Sequence, residues 1–243
     1  MNSDQARSPR HCAFCGGGSA RPAHALPDWL RECFRERDSP SAELRAKVRL
    51  ACKRCSNGWM SRLEAEAMPV LKLLIAGRPF VLGLRNQETL ALWAVQTILM
   101  LEAAHDPTTF SSEAHRHVFE HREPPTGFQL ALGIRPREGE WPCRFTAQGF
   151  TASNGRLGLL PTYPGMTIDS YRAGLCIGHL VVRARASFAP ADAQLLADPI
   201  DAASLPIWPA TSPARWPPAA GLVRMQTFDS AFESLPAVAR RAA

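Results

Sequence analysis

At 243 residues, 46% hydrophobic and 21% charged, the chain has the balance of a globular protein with one large domain or two smaller ones. Its longest apolar run, "LALWAVQTILMLEAA", contains Gln96 and Thr97 and falls short of the roughly eighteen residues of a membrane span, so no membrane association is expected. The net charge of +6 is concentrated in residues 1–60, where eleven basic residues stand against six acidic ones, a bias that suits DNA or RNA and equally a solvated basic surface.

In chain order, "MNSDQARSPRHC" has no apolar signal region, so a cytoplasmic location is expected and the seven cysteines do not read as a disulfide framework. "CAFCGGGS" reads as a knuckle, a tight turn between Cys12 and Cys15 with glycines supplying unusual backbone angles. "LPDWLRECFRER" predicts a short helix with Pro27 near its start, and "SPSAEL" a loop. "AKVRLACKRC" is strand-like, with Val48 and Leu50 on one face, and leads into a second pair, Cys52 and Cys55.

After Cys55 the period turns helical through Leu63, Ala67, Val70, Leu71 and Leu74, with Gly77 as a stop and Pro69 expected to kink or split the helix. A second helix is predicted from Asn86 to about Ala104; apolar on most sides, it should be buried. "EAHRHVFEHRE" places His117 and His121 on one helical face, a pair that could bind a metal, although without a third ligand a solvated polar helix is the simpler account. From "GFQLALGI" onward, "CRFTAQGFTAS", "RLGLLPTY" and "AGLCIGHLVVRARA" are strand candidates of an antiparallel sheet. "LPIWPATSPARWPPAAG" is too proline-rich for regular structure and reads as a surface strap anchored by Trp208 and Trp216.

Four thiolates from two Cys-x-x-Cys pairs satisfy a tetrahedral structural Zn2+, so Cys12, Cys15, Cys52 and Cys55 are the expected metal ligands. The 36 intervening residues exceed a zinc-ribbon gap and must hold structure of their own. Arg49, Lys53 and Arg54, next to the second pair, are the expected nucleic-acid contacts.

"CAFCGGGSARPAHALPDWL" followed by "VRLACKRCSNGWMSRLE" resembles the bacterial HNH endonuclease family, in members with a C-x-x-C … E-H-x-x-P-x-W-L … C-x-x-C-N-N-G-W-M-x-x-L-E pattern. The patterning itself predicts an α+β protein, a small zinc module over 1–77 and then a domain over 78–243, helical to 123 and mainly β beyond; the resemblance implies that the module is of the treble-clef or ββα-metal type. It also implies metal-dependent phosphodiester cleavage, with His24 as general base, Asn57 as the second asparagine of the motif, and a second divalent cation (Mg2+, Mn2+ or Zn2+) at the catalytic site. That ion offsets charge on the scissile phosphate and the departing 3′ oxygen.

Two departures fall on this second metal. Ala23 stands where the family has an acidic ligand, and Ser56 where it has asparagine or histidine. They predict a weak or inactive nuclease, with a non-catalytic nucleic-acid-binding or protein-interaction module as the alternative. Ser56 and Asn57 also suit a helix cap, and Trp59 and Met60 suit core plugs beneath the zinc module.

Overall fold

Alternation in "KVRLAC" buries Val48 and Leu50 and exposes Lys47 and Arg49, the pattern of a strand with one solvated face. That strand, β2 (Lys47–Cys52), pairs antiparallel with β1 (Ala20–His24), with Ala20 opposite Cys52 and His24 opposite Lys47. Between them Pro27 sets the entry to α1 (Asp28–Cys33), where Asp28 favours the positive helix start and Leu30 is fully buried. Ala42–Arg45 forms a short helix, α2, where a loop was expected; Ala, Glu, Leu and Arg are good helix formers and Leu44 docks inside. The computed structural model describes residues 11–34, 42–105, 112–135, 143–153, 156–159, 170–187 and 204–218. Ser39–Ser41 of the expected loop lie outside them.

Beyond the second cysteine pair, the one-turn helix α3 (Lys53–Cys55) passes through a wide turn, Ser56–Met60, into α4 (Ser61–Ile75). Gly58 takes non-helical angles in that turn (φ −100, ψ −106). α4 runs unbroken through Pro69, contrary to the expected split. Pro69 is exposed, and the buried row Leu63, Ala67, Val70, Leu71 and Leu74 holds the helix across the missing hydrogen bond. Gly77 stops it as expected, at φ 68, with Arg78 N–H donating to the Leu73 carbonyl at 2.9 Å.

The long helix α5 (Leu84–His105) starts two residues before the predicted position. Trp93, Ala94, Val95, Ile98, Leu99 and Leu101 are all essentially inaccessible, so it is buried on most sides as its composition demands. α6 (Ser112–His121) departs from the solvated polar helix of the simpler account: Val118 and His115 are buried.

The described residues cluster into two units, Met1–Lys72 with Glu88–Pro125 and Leu73–Gln87 with Thr126–Ala243. The division is interleaved rather than a single cut near residue 77, because most of α5 and all of α6 belong with the cysteine-bearing hairpin.

The second unit is built on a six-stranded antiparallel sheet of β4 (Phe128–Ile134), β5 (Cys143–Ser153), β6 (Arg156–Leu159), β7 (Ser170–Ile177), β8 (Leu180–Ser187) and β9 (Leu205–Trp208). Its order is β6-β5-β7-β8-β4-β9. "AGLCIGHLVVRARA", a single candidate by pattern, is two strands joined by Gly178 and His179. The strap also contains regular structure: β9 joins this sheet, and β10 (Ala214–Trp216) pairs with β3 (Phe80–Leu82). Proline is tolerated there because these strands are short or at an edge. Trp216 is buried and Trp208 partly so. Among the described residues no helix is long and apolar enough to cross a membrane.

Candidate metal centre and basic cleft

The first knuckle is closed by backbone. Gly16 N–H donates to the Cys12 carbonyl at 2.9 Å, Cys12 N–H to Gly18 at 3.1 Å, and Ala13 N–H to Leu50 of β2 at 2.9 Å. Gly18, at φ 67, brings its backbone against Cys52; a Cβ there would stand 3.2 Å from the Cys52 Cβ. The hairpin register, Ala20 opposite Cys52, then carries the second pair to the first.

All four sulfurs, from Cys12, Cys15, Cys52 and Cys55, lie within 4.8 Å of one another, three of the residues being buried and Cys15 partly exposed. All four are free thiols. Cys15 and Cys52 Sγ are 3.7 Å apart, far beyond a disulfide. A tetrahedral zinc with Zn–S of about 2.3 Å requires S···S of about 3.8 Å. The sequence-predicted ligand set is therefore assembled with the spacing a structural zinc needs.

The thiols are unequal. Burial pushes Cys52 up, but the Cys55 backbone N–H and the thiols of Cys15 and Cys12 outweigh it and bring Cys52 down to about 7. Burial raises Cys15 and Cys55. The Arg122 guanidinium, lowered by burial and raised by the charge of Cys55, lies 4.5 Å from the Trp59 ring centre and 4.6 Å from that of Phe119. Beneath the sulfurs, Phe14 meets Trp59 edge-on at 5.6 Å and His115 at 5.2 Å, while Trp59 meets Phe119 at 6.4 Å. Trp59 and Met60 are buried, as core plugs should be. α6 is thus the floor of the cysteine module, a role hidden in a sequence that reads as polar.

His24 ends β1 and lines a cleft of about 620 Å3 with Asp28, Arg31, Glu32, Phe34, Leu44, Arg45 and Lys47. Its pKa is lowered by burial, then by Arg31 and Lys47, with Asp28 acting in the opposite direction, so the imidazole is neutral at pH 7. Its Nδ1 is buried without a hydrogen-bond partner among the described residues. Asp28 is paired with Arg31. Glu64, in α4, is pushed up to about 7 by burial and by the charge of Asp28.

The remaining predicted residues are distributed differently. Asn57 is exposed in the wide turn and is not among the residues lining the His24 cleft. Arg49, Lys53 and Arg54 are all exposed, Arg49 on the face of β2 that also carries Lys47. Ala23 is partly buried. Ser56 does not act as the expected acceptor cap: its hydroxyl donates back to the Cys52 carbonyl at 3.2 Å, a back-bond that goes with the distorted turn. Asp28, Glu32, Glu64 and Arg122 escaped the sequence reading, since an isolated carboxylate or arginine carries no spacing signal. Compared with protein-family models, curated proteins and solved structures, the chain matches none.

Proposed function

We propose that this chain is an HNH-like protein that engages nucleic-acid phosphate at the His24 cleft and cleaves it with a divalent cation. The observation that carries this reading is the pair of carboxylates, Asp28 and Glu32, lining the same cleft as a neutral histidine. The acid missing at Ala23 has a candidate replacement in Asp28, four residues after His24 and the first residue of α1, which lines the same cleft.

A neutral imidazole can take a proton from water, so His24 is the general base. Arg31, Arg45 and Lys47 line the cleft with positive charge that attracts and orients a phosphodiester. Asp28 and Glu32 would hold Mg2+, Mn2+ or Zn2+, which when bound offsets charge on the phosphate and the departing oxygen. Zinc on the four cysteines fixes the hairpin that bears His24 and Lys47. Asn57 is the second candidate polar group, by its place in the motif.

One observation favours the non-catalytic reading. The Ser56 hydroxyl is committed to the Cys52 carbonyl, which leaves the second motif position without a metal ligand. A plasmid-nicking assay in Mg2+, Mn2+ or Zn2+ separates the two. The nuclease reading expects weak, metal-dependent nicking by the unmodified protein. It also expects a loss of roughly 10²–10⁴-fold in His24→Ala, a fall in Asp28→Asn, and a gain in the Ala23→Glu, Ser56→Asn double variant. Salt-sensitive DNA or RNA binding with no nicking in any metal establishes the binding module instead.

A further inference from the structure

We infer a second transition-metal site, distinct from the four cysteines, formed by His117, His121 and Glu123 at the C-terminal end of α6. His117 and His121 stand one turn apart on one helix face, with ring centres 4.5 Å apart. The third ligand, which the sequence did not supply, is delivered by the backbone. Arg122 adopts φ 57, a left-handed conformation rare for a residue with a Cβ, directly after α6 ends at His121. Just past this turn the Glu123 carboxylate stands 3.7 Å from His117 Nε2.

That nitrogen is itself an anomaly. It is buried, and it has no hydrogen-bond partner among the described residues although a carboxylate faces it. At 3.7 Å the pair is too far apart for a hydrogen bond. Two ligand atoms on one tetrahedral zinc, at about 2.0–2.1 Å for nitrogen and 2.0–2.2 Å for oxygen, stand about 3.4 Å apart. The gap is therefore close to the one an ion would fill. Among the described residues only the four cysteines already have all donors within 4.8 Å. His121, the exposed last residue of α6, would complete the set by rotation of its side chain off the His117 ring.

Two imidazoles and one carboxylate form an intermediate-to-hard set that suits Zn2+ and leaves a fourth position for water. The two centres differ in ligand chemistry, so they can be loaded and read separately.

The test is a Zn2+ titration, by calorimetry, of protein already holding one metal on its cysteines, with His121→Ala and Glu123→Gln as variants. Both positions are exposed, so the variants should fold. A second equivalent of zinc is expected in the unmodified protein, with affinity at least about tenfold weaker in each variant, the lower end of what even outer-shell changes cost. Cobalt bound at this site should lack the sulfur-to-metal charge-transfer bands of the cysteine centre. No equivalent beyond the cysteine centre, or none that either variant weakens (any remaining ion then belonging to the His24 cleft), overturns the inference.

Discussion

His24 concentrates the chemical part of the account, and its environment fixes a pH signature. Burial, Arg31 and Lys47 all favour the neutral ring, so its pKa lies below the ordinary 6.5. A base must be unprotonated to act, so nicking should persist as pH falls through 6.5 and be lost only below it. A pH–rate profile checks this, and an acidic limb at or above 6.5 would contradict it. Glu64 gives a prediction of stability. Its folded pKa of about 7 exceeds the ordinary carboxyl value of 4.5, so the folded state holds the extra proton between those values and loses stability as pH rises through them. Glu64→Gln should therefore stabilise the protein above pH 7, by on the order of 1 kcal/mol after allowance for solvent screening, and leave it little changed below pH 4.5. Denaturant midpoints at the two pH values decide it. The four cysteines were legible because each pair is a local signal and their chemistry admits few uses. Asp28 and Glu64 were not, because a carboxylate becomes informative only when the fold surrounds it.

At the scale of elements, local pattern succeeded where one period dominates and failed where packing overrides polarity. α5 and β4 formed where their apolar patterns predicted them. α6 did not: six of its ten residues are His, Arg or Glu, yet His115 and Phe119 turn inward onto Phe14 and Trp59. The turn between β7 and β8 was missed because no proline breaks the apolar run. Its position is enforced by Gly178, at φ 56, where a Cβ would stand 2.7 Å from the Ile75 carbonyl oxygen. Gly178→Ala should cost roughly 1–3 kcal/mol through strain and this clash, lowering the melting temperature without changing metal content. Arg122 links the end of α6 to the cysteine cluster through the charge of Cys55 and through its guanidinium over the Trp59 ring. Arg122→Gln should speed zinc loss to a thiol-reactive chelating assay, because the anionic cysteine cluster loses its neighbouring cation. An unchanged rate would mean the guanidinium serves packing alone.

For the whole molecule, the sequence conveyed an α+β chain with a cysteine-held module, and missed how the units interleave, since no linker composition marks Lys72 or Gln87. It also located the basic excess only in part. Arg172 and Arg185 face each other across β7 and β8, with Arg183 on the same side, and Arg183 is lowered to about 10 by burial and then by Arg185 and Arg172. The exposed Arg49, Lys53 and Arg54 remain the first candidates for phosphate contact. Replacing all three with alanine should weaken DNA or RNA binding and reduce the slope of log affinity against log salt by up to about 3. One zinc held by the four sulfurs would organise the hairpin that carries His24. X-ray absorption at the zinc edge, on protein dialysed free of weakly held metal, addresses this directly. It should show one zinc per chain with four sulfur neighbours at about 2.3 Å, whereas no retained zinc, or a first shell dominated by nitrogen and oxygen, would contradict the account.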